Sequence, residues 1–133
     1  MGLFDKVFKS ERDIVKKEIE EVPWHALTES KQLEEIEEES EKMPVVVFKH
    51  STRCGISRMV LNNFERSYDL PKDKKVKLYM LDLIANRNIS NEVAERFKVR
   101  HESPQMIILK DRQVVHHASH QGIDLQDVRT QVK

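Results

Sequence analysis

The stretch Val45-Val46-Val47-Phe48-Lys49-His50-Ser51-Thr52-Arg53-Cys54-Gly55-Ile56-Ser57-Arg58 decides how this chain is read. Pro44 precedes it, and Val45 to Lys49 has the length and β-branched content of a buried strand. Beyond Cys54 the period changes, and Met59, Val60, Phe64 and Ser67 mark one face of a helix ending near Asp69-Leu70-Pro71. Cys54 therefore sits at a strand-to-helix junction, where unpaired backbone N–H groups and the helix dipole favour an anion. The thiolate is the nucleophilic form of cysteine, and such junctions favour it. Cys54 is the single cysteine of the chain, and Ser57 stands where a dithiol site would carry its second thiol. The pattern is that of a one-thiol redox site.

Composition narrows the class further. A chain of 133 residues suits one domain with one core. Hydrophobic residues make up 38% and charged residues 35%, the balance of a globular chain with a heavily solvated surface. Lysine plus arginine equals aspartate plus glutamate, at 23 each, so no global field points to nucleic acid or a membrane. No stretch approaches the roughly 20 apolar residues of a membrane span. Met1-Gly2-Leu3-Phe4-Asp5-Lys6 carries charges where a signal peptide needs an apolar run. A lone cysteine excludes an internal disulfide framework, and the cytoplasm is the expected compartment.

Working outward, residues 1–21 carry Leu3, Phe4, Val7, Phe8, Ile14, Val15 and Ile19 among charges, which predicts an amphipathic helical extension. The domain proper spans 22–133. Trp24 to Leu27 is a candidate short edge strand, with Trp24 a core or lid residue. Thr28 or Ser30 is placed to cap the next helix, whose apolar positions are Leu33, Ile36 and Met43. Its glutamates, Glu34 to Glu41, form a solvated face. Val76 to Asp82 predicts a strand, and Ile89, Val93 and Phe97 a helix capped by Asn88 or Ser90. Gln105 to Lys110 and Gln113 to Ala118 flank Asp111-Arg112 and read as a hairpin. Ile123, Leu125, Val128 and Val132 close the chain with a short helix. The implied fold class is α/β, a central mixed four- to five-stranded sheet flanked by helices.

Three features converge on Cys54 in that layout. Ser103-Pro104 opens the strand Gln105 to Leu109, where a cis proline would present backbone to an extended ligand. Gly122 and Asp124 precede the last helix, at an N-terminus suited to an anion. Lys49, His50, Arg53 and Arg58 make the thiol's surroundings positive. The cluster His116-His117-x-x-His120 invites a metal reading, but strand neighbours point to opposite faces, so no metal site is assigned.

Leu81-Asp82-Leu83, Glu95 to Arg100, Ser103-Pro104-Gln105 and Leu109-Lys110-Asp111 resemble the second half of a thioredoxin, and Cys54-Gly55-Ile56-Ser57 is similar to the site of monothiol glutaredoxins. The resemblance to the thioredoxin-like superfamily covers roughly residues 23–133, and within it Thr52 to Ser57 together with His101 to Gln105 and His120 to Ile123 most resemble the monothiol bacilliredoxins. It implies a thioredoxin-like fold, no bound cofactor, and bacillithiol, a cysteine–glucosamine–malate conjugate, as cosubstrate. The implied partners are S-bacillithiolated client proteins and a regenerating reductase. The implied catalytic residues are Cys54, Ser57 and Pro104, with Ser57 donating a hydrogen bond to the thiolate. Ligand contacts fall to Arg53, Gly55, Arg58, Ser103 and Gly122. Ser57 departs from dithiol thioredoxins, and Gln121-Gly122 replaces the glycine pair of glutaredoxins. Two other functions fit a lone thiol: a [2Fe–2S] cluster carrier like monothiol glutaredoxins, or a thiol sensor without turnover.

Overall fold

In the computed structural model, which describes residues 22–71 and 73–132, β1 (Trp24–Ala26), α1 (Lys31–Ser40), β2 (Val45–His50) and α2 (Gly55–Ser67) come first. There follow β3 (Lys77–Asp82), α3 (Arg87–Phe97), β4 (Gln105–Lys110), β5 (Gln113–Ser119), a 3-10 turn at His120–Gly122 and α4 (Leu125–Gln131). The predicted extension, residues 1–21, lies outside the described residues. The sheet has five strands in the order β1-β3-β2-β4-β5. β3 runs parallel to β1 and β2, while β4 pairs antiparallel with β2 and β5, giving the expected mixed sheet.

Strand β2 is buried from Val45 to Lys49, because helices cover both faces of the sheet. Its alternate residues feed two cores. Val45 and Val47 join Leu33, Ile36, Leu81, Val93 and Ile107 under α1 and α3. Val46 and Phe48 join Val60, Phe64, Met106, Leu125 and Val128 under α2 and α4. Trp24 closes the second core: its ring centroid lies 5.8 Å from that of Phe48 and 5.7 Å from that of Phe64. Its Nε1 donates to Glu65 Oε2 at 3.0 Å.

Several local expectations are corrected. Met59 is 49% exposed and Ser67 is exposed, so neither shares the buried face of α2. That helix starts at Gly55, and its inward positions are Ser57, Val60 and Phe64. Neither Thr28 nor Ser30 caps α1 through its side chain. Gln32 Oε1 reaches back instead, accepting from Thr28 N at 2.8 Å and Glu29 N at 2.9 Å. The N-cap of α3 is Asn86, and Ser90 is buried within the helix.

The hairpin is as expected. Asp111 and Arg112 have φ of 52° and 66°, and positive φ at both loop residues is what a type I′ turn requires. The tip docks on the end of α1, where Asp111 N donates to Ser40 O at 2.7 Å and Arg112 N to Ser40 Oγ at 2.8 Å. The β4–β5 pairing shifts register between Ile108 and Leu109. Among the described residues, no helix is long and apolar enough to cross a membrane.

Phe48 is fully buried between Trp24 and Phe64. Phe48→Ala is expected to lower the unfolding free energy by about 3–5 kcal/mol, read by urea titration of the single tryptophan's fluorescence.

Candidate active site

Cys54 is a free, partly exposed thiol at the N-cap of α2, with extended backbone at φ −107° and ψ 121°. Its own N–H closes a turn onto Ser51 O at 3.2 Å, and its carbonyl accepts the Arg58 N–H at 3.1 Å. Cys54 thus directly precedes the first turn of a helix of 13 residues, where N–H groups lack intrahelical partners. A Cβ built on Gly55 would meet nothing within 4 Å, so the flank of the thiol opens to solvent. Ile56 and Met59, each 49% exposed, border it on the same helix turn.

Ser57 is fully buried. Its Oγ accepts from Ser51 N at 3.0 Å and lies 2.8 Å from His50 Nδ1. These partners bind the start of α2 to the end of β2; none of them is the Cys54 sulfur. Burial, with help from Arg58, lowers the pKa of His50 below the usual imidazole value, against the opposing charges of Asp82 and Glu65. The ring is consequently neutral at neutral pH.

The Ser103–Pro104 peptide bond is cis. Register places it beside the thiol loop: Lys49, near the end of β2, pairs with Gln105, the first residue of β4. Pro104 O accepts the His120 N–H at 3.0 Å, which ties the 3-10 turn containing Gly122 to the proline. That turn lies against α2. Cys54, Ser103-Pro104 and Gly122 are therefore gathered at one end of the sheet. Gly122 has ample room, with Ala118 Cβ at 4.0 Å the nearest neighbour of a Cβ built there. Asp124 is the N-cap of α4, accepting from Gln126 N at 2.9 Å.

The expected positive surround is only half present. Arg53 and Arg58 are exposed, and Arg58 Nη2 donates to Thr52 O at 3.2 Å, bracing the thiol loop. Lys49 is fully buried on the opposite face of β2 from Phe48. Its Nζ donates to Ser90 O at 3.1 Å and lies 3.2 Å from His101 Nδ1. Burial lowers its pKa from 10.5 to about 8. A lysine ending a run of four apolar residues was the one sequence signal of this placement, because a strand covered on both faces leaves that position no route to solvent. Among the described residues, no three His, Cys, Asp or Glu side chains converge to hold a metal ion, and His116 Nε2 instead lies 3.0 Å from Asp127 Oδ2.

A single nucleophilic thiol at a helix N-cap, beside a cis proline that opens an antiparallel strand, defines a thiol redox protein of thioredoxin-like fold. A solved oxidoreductase with a thioredoxin fold is 25% identical, with 83% of this chain and 94% of that chain covered and a TM-score of 0.66. The thioredoxin of Fasciola hepatica is 22% identical over 82% of this chain and 99% of its own, with a TM-score of 0.62. Thioredoxin from Malassezia sympodialis is 21% identical over 80% and 85%, with a TM-score of 0.59. Residues 25–128 match the monothiol bacilliredoxin family, BrxC, and the chain belongs to it.

The Lys49 shift has a definite pH consequence. Between about 8 and 10.5 the unfolded chain binds more protons at this site than the folded one, so this lysine makes stability rise with pH across that window. Lys49→Met is expected to remove that rise, as read by urea titrations of both proteins at pH 8 and pH 10.5.

Proposed function

We propose that this protein removes bacillithiol from S-bacillithiolated client proteins. The observation that carries the reading is the lone, partly exposed Cys54 at the N-cap of α2, with the hydroxyl of Ser57 where a resolving thiol would stand. Membership of the monothiol bacilliredoxin family supports it. The cytoplasm is the compartment proposed for this chemistry.

The reaction is thiol–disulfide exchange. Cys54 thiolate attacks the bacillithiol sulfur of the client's mixed disulfide. The bond between bacillithiol and the client sulfur breaks, and the client cysteine leaves as a thiolate that takes a proton from water. Cys54 then carries bacillithiol in a new disulfide. Since Ser57 has no sulfur, the adduct cannot collapse internally. A second bacillithiol thiolate attacks the bacillithiol sulfur, frees Cys54 and leaves as bacillithiol disulfide, which a separate reductase restores.

The chain's residues support each part of this cycle. The open flank at Gly55 admits the bulky disulfide. The cis Ser103–Pro104 backbone lies alongside an extended ligand, and Arg53 and Arg58 offer charge-assisted hydrogen bonds to the malate carboxylates. The turn at Gly122 borders the same space.

Intact-mass spectrometry of the reduced protein mixed with a bacillithiolated client tests the proposal. The expected result is a bacillithiol adduct on Cys54 with release of the client thiol, and neither event with Cys54→Ser. Retained release by Cys54→Ser would overturn the mechanism. Pro104→Thr is expected to slow transfer at least severalfold while leaving the fold intact by circular dichroism. An unchanged rate would remove Pro104 from the site.

A further inference from the structure

His101 is exposed, yet its Nδ1 is turned inward onto an amine and a hydroxyl. Lys49 Nζ lies 3.2 Å away and Ser90 Oγ 3.4 Å away. A protonated lysine has three donors and no acceptor. Lys49 also donates to Ser90 O, so α3 and the loop before Pro104 are joined through one buried amine. Facing such a donor, His101 Nδ1 must carry the lone pair, and the ring proton must sit on Nε2. The same loop is held a second time, where Gln105 Nε2 donates to Arg100 O at 2.9 Å. His101 is thereby a fixed donor, two residues before the cis Ser103–Pro104 bond and at the Cys54 end of the sheet.

We infer that Lys49 is a positioning residue that fixes His101 as an Nε2–H donor to an oxygen of the thiol conjugate carried on Cys54. This rests on the bacillithiol reading above, and the oxygen is a carboxylate or carbonyl of that conjugate. Three charges face the His101 ring: Lys49 from β2, Arg87 from α3, and Glu102 from its own loop. Burial, then Lys49 and Arg87, lower its pKa below the usual value against the opposing Glu102. The ring stays neutral at neutral pH and donates without becoming a cation. The lock holds while Lys49 keeps its proton; once Lys49 is neutral, its amine can also accept, and the tautomers mix.

Long-range proton–nitrogen NMR of the full chain reads the tautomer directly. At neutral pH the expected His101 pattern is Nε2–H, whereas Lys49→Met gives mixed tautomers and a titration moved to higher pH. Treating the reduced protein with bacillithiol disulfide forms the Cys54 adduct and releases one bacillithiol thiolate. That adduct is expected to shift the His101 Nε2–H resonance. With a bacillithiolated client, His101→Ala is expected to raise KM about threefold to tenfold, the range of one lost hydrogen bond. His101→Gln, which keeps an N–H near the Nε2 position, is expected to recover most of that loss. An Nδ1–H tautomer in the unaltered protein, or a His101 resonance unmoved by the adduct, overturns the inference. Failure of Cys54 to take up bacillithiol at all would sink the reading under Proposed function as well.

Discussion

Strand β2 is buried along Val45 to Lys49 and hydrogen-bonded along both edges, parallel to β3 and antiparallel to β4. With no freedom on either face or either side, its end is a fixed point, and the site is built out from it. Leu83 N reaches His50 O at 3.0 Å, so β3 is tied to the same point. The thiol loop then needs only four residues, Ser51 to Cys54, to reach the first turn of α2. The antiparallel partner brings Pro104 to that end because β4 begins where β2 finishes. Parallel pairing there would have placed the proline at the opposite end of the sheet.

Ser57 and Lys49 are paired inside this framework, whereas Ser103 Oγ and Gln105 Oε1 are buried without a partner. A buried hydroxyl or amide left unpaired costs roughly 1–3 kcal/mol, and Ser57 avoids that by bonding Ser51 N and His50 Nδ1. A thiol in its place would be a much weaker partner for both groups. The serine therefore has a structural role of its own, apart from any effect it has through lacking a second sulfur. Lys49 is the costlier burial, and its position between Ser90 O and His101 Nδ1 makes it a strut between β2, α3 and the proline loop.

The sequence made the sheet and the thiol junction legible because they depend on short-range signals. Val45 to Phe48 and Met106 to Leu109 are continuous apolar runs, Pro44 and Pro104 stand just before the strands they open, and Asp111-Arg112 sits between two strand-like segments. Misplaced details depended on phase or reach. Counting Met59 inward follows from its side chain being apolar, but the start of α2 at Gly55 turns it outward beside Ile56. A glutamine reaching back to cap α1 competes with Thr28 and Ser30 in a way that local propensity does not encode. Sequence alone counts Lys49 among the positive charges around the thiol and gives Ser57 a bond to the thiolate, since polarity and proximity in the chain point to the neighbouring sulfur. Lys49 faces α3 and the loop around His101, and Ser57 faces the end of β2, contacts that only the folded chain reveals.

The two margins of the sheet are unequal. β1 is three residues long and follows Pro23, so it presents little backbone to a neighbouring molecule. β5 runs for seven residues, and between Gln113 and Ser119 it has no proline, lysine or acidic side chain. Its safeguard is the register shift opposite Ile108 and Leu109, which distorts the ladder and increases local twist. The longer margin, β5, lies on the far side of β4 from β2 and the thiol loop. Straightening that irregularity would lengthen the flat ladder that β5 offers to a neighbouring strand.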